Sequence, residues 1–358
     1  MSENHSEHVI AEVRGSLGII TLNKPQAMNS LSLEMVRTIT ATLQQFRENS
    51  AVVSVALRGA GDRGFCAGGD VVALYHQVVN DPRDASPFFI AEYQLDHAIS
   101  VYPKPVLAVM NGVVLGGGVG LAGPSSHRIV TETTRLGMPE TGIGFSPDVA
   151  GVNYLAQAPG LLGRHLALTG AHISAADVLH IGMADYFVND ESIEELLDAV
   201  SQISTADQLD PTIRQFQAEP GQSELATQAE WIDRVYDADT VEQMLSNVSG
   251  LVENHPDHPA GKALRALQRN SPTGMKVALE AVKRAGDQTI GETLAQDLRT
   301  TMNAAYGHDL REGIRAQLVD KDRNPRWKPA ELSQVSQQLV NSFFDPVDGV
   351  ADLELNGG

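Results

Sequence analysis

Two acidic residues, Glu140 and Asp148, lie in the segment MPETGIGFSPD (residues 138–148), and each directly follows a proline. Carboxylates buried beside an electrophilic carbonyl can act as a base, as a nucleophile or as a group that positions water. Each residue also has an ordinary interpretation, because Asp148 could cap a helix and Glu140 could be a solvated loop residue. The pair alone therefore leaves both interpretations open.

Two glycine-rich segments follow apolar, strand-like runs. FCAGGD (residues 65–70) comes after a run that ends at Leu57 and before a predicted helix from Val71, and NGVVLGGGVG (residues 111–120) comes after another run. Glycine lets a backbone N–H approach a ligand without a Cβ in the way. Two such loops could direct two N–H groups at one oxygen, which is the geometry of an oxyanion hole. The first loop alone is equally consistent with a plain tight turn.

Three other patterns favour packing or linker roles. Cys66 is the only cysteine, which excludes internal disulfides and multi-cysteine metal sites, and we predict that it packs as a buried apolar residue. His255 and His258, with Glu253 nearby, predict a solvated linker between helices. The dinucleotide-like match G-x-G-x-x-G at residues 118–123 leaves too little chain before the next strand for a crossover helix.

The elements that must position these residues alternate in type. Val9–Val13 and Leu17–Leu22 predict a hairpin, and Ser32–Arg47 has the apolar spacing of an amphipathic helix. Val52–Leu57 and Pro105–Met110 predict buried strands. Strands that alternate with helices indicate an α/β layered core.

After residue 205 the strand signal disappears and helical windows follow one another. The predicted windows are Ala226–Tyr236, Thr240–Val248, Gly261–Arg269, Gly274–Ala285, Thr289–Ala305 and Asp309–Val319. Thr289–Glu292 and Ser192–Glu195 both fit the capping box at a helix start. We therefore predict a flexible tail over residues 1–8, an α/β core over 9–205 and a helical C-terminal region over 206–358.

Composition and charge restrict the partners. The chain has 358 residues and a net charge of −19, from 26 Lys and Arg against 45 Asp and Glu. Such a surface repels phosphate backbones and anionic membranes, so we expect neither nucleic acid nor a membrane as a partner. The start, MSENHSEHV, has no apolar stretch and resembles neither a secretory signal nor a transit peptide, which predicts a cytoplasmic protein.

The order of four motifs resembles the crotonase (enoyl-CoA hydratase/isomerase) superfamily over about residues 8–205. The motifs are NKPQAMN (23–29), FCAGGD (65–70), NGVVLGGGVGLAG (111–123) and MPETGIGFSPD (138–148). The resemblance implies a ββα-repeat core and an acyl-CoA thioester substrate whose oxygen is held by the backbone N–H groups of Gly69 and Gly117. It implies no metal and no cofactor beyond the CoA of the substrate, and it leaves open whether the chain forms a homo-oligomer. The residues expected to contact CoA are Lys24, Ala27, Ala67, Gly68 and Asp70, with Arg63 as a further candidate for a phosphate.

A narrower resemblance concerns the acidic residues. In enoyl-CoA hydratases the first of two catalytic glutamates stands where this sequence has Gly120, and the second matches Glu140. The combination with Asp148 is similar to the 3-hydroxyisobutyryl-CoA hydrolases of the superfamily. The segments 270–273, 307–316 and 320–329 resemble the same hydrolases, so the match spans nearly the whole chain.

This resemblance implies thioester hydrolysis, the valine-catabolic reaction of that family. Glu140 would attack the thioester or activate water, Asp148 would hold the water or the substrate hydroxyl, and Glu92 would accept a hydrogen bond from the 3-hydroxyl group. Ser146 stands where related hydrolases commonly have a large apolar residue, so the preferred acyl group stays open. An enoyl-CoA hydratase or isomerase is the alternative, and a non-catalytic acyl-CoA-binding protein is a third.

Overall fold

The structure is a computed structural model that describes residues 7–355, so most of the predicted tail (residues 1–6) lies outside the described residues. The strands are β1 (Val9–Arg14), β2 (Leu17–Leu22), β3 (Ser54–Gly59), β4 (Val106–Met110), β5 (Val113–Leu115), β6 (His127–Val130), β7 (Arg135–Gly137), β8 (Ile173–Ser174) and β9 (Tyr186–Phe187). The helices are α1 (Leu33–Glu48), α2 (Val71–Asn80), α3 (Ser86–Ser100), α4 (Gly117–Ala122), α5 (Gly151–Ala156), α6 (Leu162–Thr169), α7 (Ala175–His180), α8 (Ile193–Val200), α9 (Leu209–Arg214), α10 (Glu224–Tyr236), α11 (Val241–Asn254), α12 (Ala260–Arg269), α13 (Pro272–Ala285), α14 (Ile290–Tyr306), α15 (Asp309–Ile314) and α16 (Gln337–Ser342).

Two sheets organise the first part of the chain. The larger has the order β1-β2-β3-β4-β6-β9, and the smaller has the order β5-β7-β8. β1 and β2 pair antiparallel, which confirms the predicted hairpin, whereas every later pair in the larger sheet is parallel. All five residues of β4 are buried. Such a continuous apolar strand is typical of a parallel sheet that is covered on both faces.

Helix α1 confirms the predicted amphipathic helix. The Ser32 side chain caps its start by accepting a hydrogen bond from the Met35 N–H, and the apolar positions of its repeat are buried. The charged side chains lie on the opposite face. The helix therefore covers one side of the sheet and leaves its polar stripe in solvent.

Beyond β9, helices form nearly all the regular structure of the described chain, as predicted. The predicted window 309–319 divides into α15 and one π-helical turn, Arg315–Val319. The capping box at Thr289 is confirmed, because its hydroxyl accepts from the Glu292 N–H and the Glu292 carboxylate accepts from the Thr289 N–H. The prediction of a capping box at Ser192 is wrong. Ser192 ends a 3-10 turn and already has helical backbone angles, so its side chain makes no capping bond.

One continuous apolar core joins the two predicted regions. Helix α13 packs against α5 and α6, and α14 packs against α3. Side chains of the helical C-terminal region therefore pack directly against helices of the α/β core. Among residues 7–355, no helix combines the length and apolar character that a membrane crossing requires.

Candidate active site

The two predicted glycine loops lie side by side. Cys66 pairs with β5, since its N–H donates to the Val113 carbonyl at 3.1 Å and its carbonyl accepts from the Leu115 N–H at 3.0 Å. Gly68 has a left-handed backbone, with φ of 92°, and a Cβ there would lie 3.3 Å from the Gly117 nitrogen. The backbone angle favours glycine here, and the close approach leaves little room for a Cβ.

Hydrogen bonds fix the orientation of the two peptide groups that carry the N–H groups of Gly69 and Gly117. The Gly68 carbonyl accepts from the Leu31 N–H at 2.8 Å, and the Gly116 carbonyl accepts from the first turn of α4. In a trans peptide the carbonyl and the following N–H point to opposite sides. The N–H groups of Gly69 and Gly117 therefore point away from those partners, and neither has an acceptor among the described residues.

A cavity of about 460 Å³ contains all five residues predicted for the reaction. Gly69, Gly117, Glu92, Glu140 and Asp148 line it together, and the three carboxyl groups are buried. Apolar side chains form much of its wall: Leu74, Val78, Phe88, Phe89, Phe145, Leu310 and Ile314. The last two come from α15, so the helical region closes one side of the cavity.

A larger groove of about 680 Å³ lies between α1 and α3, and it differs in chemistry. Its lining includes Arg37 and Arg47 among mainly apolar side chains, and it contains no carboxyl group. The smaller cavity is the one in which buried acids and unbonded backbone N–H groups meet. We therefore take the smaller cavity as the candidate active site.

Most of the residues predicted to contact CoA lie at this cavity. Those that line it are Ala27, Ala67, Gly68 and Asp70. Lys24 and Arg63 do not line it, and the Lys24 ammonium instead pairs with the Asp70 carboxylate at 2.8 Å. Asp70 also caps α2 by accepting from the Ala73 N–H at 3.2 Å. Lys24 and Asp70 thus have a structural partnership at the cavity rim.

Burial controls the protonation of the acids. It raises the pKa of Asp148 to about 7, and a hydrogen bond from the Tyr93 hydroxyl at 2.7 Å opposes that rise. Burial and then the charge of Asp148 raise the pKa of Glu140 well above its ordinary value. The pKa of Glu92 is also raised well above its ordinary value, first by burial and then by the charges of Asp148 and Glu140. Neighbouring acids whose pKa values are raised hold their protons more readily than free carboxyl groups do, which suits exchange between acid and base roles.

Four polar residues behind the cavity were not predicted. The Tyr93 hydroxyl links Asp148 to the Thr301 hydroxyl, and Asp297 accepts a hydrogen bond from the Ala150 N–H. Asp96 is buried one turn after Glu92 on α3, and no described residue bonds its carboxyl oxygens. The four-residue spacing of Glu92 and Asp96 among apolar residues was the available signal. No sequence signal indicated Asp297, because a polar residue on an amphipathic helix usually faces solvent.

Cys66 is buried and inert. Burial raises the pKa of its thiol to about 12, and the sulfur donates to the Asn29 carbonyl at 3.3 Å. The packing prediction is thus confirmed. Across residues 7–355, no group of three or more His, Cys, Asp or Glu side chains is arranged to hold a metal ion. His255 and His258 lie between α11 and α12, in the predicted linker.

We expect Tyr93→Phe to move the acidic limb of the activity profile to higher pH. The Tyr93 hydroxyl stabilises the ionised form of Asp148, so its loss raises the pKa of Asp148 above about 7. A carboxylate that must be ionised then loses activity at a higher pH as the pH falls. Measurement of kcat against pH for both proteins tests this. An unchanged limb would contradict the role given to the hydroxyl.

Comparison with known proteins identifies the family. A sequence profile described as Enoyl-CoA hydratase/isomerase matches residues 17–344. The chain belongs to the enoyl-CoA hydratase/isomerase family. It is 37% identical over 362 residues to a protein named 3-hydroxyisobutyryl-CoA hydrolase, mitochondrial, from Danio rerio, covering 99% of this chain and 94% of that protein. The Homo sapiens protein of the same name is 33% identical, with 98% and 91% covered.

Solved structures confirm the predicted crotonase-type α/β fold with its helical C-terminal region. A carnitinyl-CoA dehydratase from Mycobacterium thermoresistibile superposes with a TM-score of 0.91 at 43% identity, covering 99% of this chain and 100% of that one. An enoyl-CoA hydratase from Rhodobacter sphaeroides 2.4.1 gives 0.88 at 34% identity, covering 97% and 100%. The names of this family member's relatives therefore divide between a hydrolase on one side and a hydratase or dehydratase on the other.

Proposed function

We propose that this enzyme hydrolyses 3-hydroxyisobutyryl-CoA to the free hydroxy acid and CoA, a step of valine breakdown. The observation that carries the proposal is one cavity that contains two unbonded backbone N–H groups and the Glu140–Asp148 pair. The hydrolase names of the full-length curated relatives support it. Those relatives are named mitochondrial, and a cytoplasmic location for this chain stays an untested prediction.

The backbone N–H groups of Gly69 and Gly117 would stabilise the transition state. Attack on a thioester carbonyl moves negative charge onto its oxygen. Fixed donors that meet this charge stabilise the transition state more than the ground state, and that difference accelerates the step. Because both donors belong to the backbone, a substitution acts by crowding or displacing them.

Glu140 would supply or activate the nucleophile, by one of two routes. Its carboxylate attacks the carbonyl carbon and forms an anhydride that water then opens, or it takes a proton from a water that Asp148 holds. In both routes the C–S bond breaks, its electron pair goes to sulfur, and the CoA thiolate takes up a proton. A single turnover in 18O-labelled water can separate them, since label in the Glu140 carboxyl identifies the anhydride route.

Glu92 would read the 3-hydroxyl group of the substrate. It lines the cavity, and its buried Oε1 has no hydrogen-bond partner among the described residues. A substrate hydroxyl would supply a partner, and an acyl group without the hydroxyl would leave a buried polar group unpaired. Sites of this kind discriminate strongly between substrates with and without the hydroxyl.

Hydration of an enoyl-CoA is the second candidate, because the two solved structures above are named as a dehydratase and a hydratase. The site argues against it at Gly120, the position at which the family resemblance implies the first hydratase glutamate. A Cβ at Gly120 would lie 2.6 Å from Asp96 Oδ2 and 2.8 Å from Val149 Cβ. The space that a longer side chain needs is therefore filled.

A thiol-release assay with a panel of CoA esters tests the proposal. We expect release with 3-hydroxyisobutyryl-CoA and 3-hydroxypropionyl-CoA, and much slower release with isobutyryl-CoA, the matched ester without the hydroxyl. Methacrylyl-CoA tests hydration through loss of its enoyl absorbance. Loss of enoyl absorbance without thiol release would favour the hydratase. CoA binding without any product would favour the non-catalytic protein.

A further inference from the structure

The backbone directly after Asp148 has an unusual conformation. Val149 and Ala150 both have left-handed φ angles, of 52° and 59°, and neither is glycine. Such angles are sterically unfavourable for residues with a Cβ, especially a β-branched one, and they persist where surrounding contacts enforce them. Both side chains are buried. The direction of the Asp148 side chain depends on this short segment being held.

One contact that holds the segment comes from far along the chain. The Ala150 N–H donates to Asp297 Oδ2 at 2.8 Å, and Asp297 is fully buried on α14. A buried N–H without an acceptor is costly, so this bond favours the left-handed segment over alternatives that turn the N–H elsewhere. The other carboxyl oxygen of Asp297 has no partner within the described chain. The bond from the Ala150 N–H is therefore the one hydrogen bond that the Asp297 carboxyl group makes within the described residues.

A second contact from α14 acts on the Asp148 carboxylate through the Tyr93 hydroxyl. The Tyr93 hydroxyl lies 2.7 Å from Asp148 Oδ2 and 2.7 Å from the Thr301 hydroxyl. An ionised carboxylate only accepts hydrogen bonds, so Tyr93 must give its single proton to Asp148. The Tyr93 oxygen then accepts a hydrogen bond from the Thr301 hydroxyl, so both hydrogen bonds run from Thr301 towards Asp148. Asp297 and Thr301 are four residues apart, which places them on one face of the helix.

We propose that Asp297 and Thr301 are positioning residues for Asp148, the first through the segment that follows it and the second through Tyr93. The inference rests on the proposed function, which gives Asp148 its part in the reaction. On this view the helical C-terminal region completes a site whose reacting groups all come from the first part of the chain. Helix α14 contributes the support from behind, and α15 contributes only apolar wall.

Kinetics of five variants test the proposal. We expect Asp297→Ala to lower kcat by roughly 10- to 100-fold with little change in KM, because misplacement of a reacting group costs rate more than binding. Asp297→Asn should restore most of this loss, since its amide oxygen still accepts from Ala150. Thr301→Val should lower kcat and Thr301→Ser should restore it. Thr300→Val is the matched control for Thr301→Val, because the Thr300 hydroxyl donates to the backbone carbonyl of Asp297 within its own helix and not to Tyr93.

The pH profile supplies a readout that a merely structural role would not move. Loss of the Thr301 hydroxyl weakens the donation from Tyr93, so the acidic limb of kcat should move to higher pH in Thr301→Val and stay in place in Thr300→Val. The titratable groups that surround Asp148 are Glu92, Tyr93, Asp96, Glu140 and Asp297. None of them is altered in the two threonine variants, so the comparison isolates the hydroxyl.

A thermal-unfolding cycle separates failure of this proposal from failure of the proposed function. Thr301→Val is made in the natural protein and in Tyr93→Phe, and a smaller effect in the second background shows that Thr301 acts through Tyr93. This readout needs no turnover. If the natural protein releases no thiol from any ester, the proposed function fails and the cycle still decides the contact. If thiol is released but Asp297→Ala and Thr301→Val keep the natural kcat, or if Asp297→Asn is as slow as Asp297→Ala, positioning by α14 is wrong.

Discussion

Glu140→Gln is expected to lower kcat for thioester hydrolysis by roughly 10³- to 10⁴-fold, the upper part of the range for loss of a general base or nucleophile. Glutamine has nearly the same shape, but it can neither ionise nor attack. Glu140 lines the cavity and burial keeps it out of bulk water, so solvent offers no ready replacement. Thiol release under saturating substrate measures the effect, and KM should change little.

Asp148→Asn and Asp177→Asn complete this test. The first should also lower kcat strongly, because Asp148 lines the same cavity and its charge raises the pKa of Glu140. The second makes the same change in a buried carboxyl group outside the cavity, where Asp177 is bonded to Ser174 and Ser223. It should lower the melting temperature while kcat is retained. Natural activity in both Glu140→Gln and Asp148→Asn would refute the roles assigned to the pair.

Gly117→Ala has the second largest expected effect, a loss of roughly 10²- to 10³-fold in kcat, the typical cost of an oxyanion donor. A Cβ at this position would overlap Glu92 Oε1 and lie 3.2 Å from Leu31 Cδ1. The backbone N–H and the Glu92 carboxyl cannot both keep their places. We therefore expect the preference for 3-hydroxyacyl over simple acyl esters to fall as well, measured as the ratio of kcat/KM values.

Gly250→Ala is the matched control for this substitution. Gly250 lies inside α11, and nothing lies within 4 Å of the Cβ that alanine would add. The change should leave kcat unaltered and stabilise the protein by about 0.5–1 kcal/mol, because alanine loses less backbone freedom in a helix. Retention of natural kcat and of the hydroxyl preference in Gly117→Ala would contradict the assigned donor.

Local sequence rules predicted the elements well where the interactions they describe are local. The capping box at Thr289 involves residues three apart, and the hairpin of β1 and β2 needs only a tight connection. Ser192 fits the same capping pattern and fails, because the preceding turn had already given it helical backbone angles. That turn depends on neighbouring residues, which a four-residue pattern does not include.

The residues of the site also separate into those that a local pattern predicts and those that it does not. The sequence by itself determined the two glycine loops and the acids Glu140 and Asp148, because each is carried by a short segment with its own chemistry. Only the tertiary structure decided what supports them. The bond from Ala150 to Asp297 spans 147 positions and the one from Tyr93 to Thr301 spans 208. No local periodicity encodes such contacts; they arise when α14 packs behind α3 and buries polar side chains that, on an isolated helix, would face water.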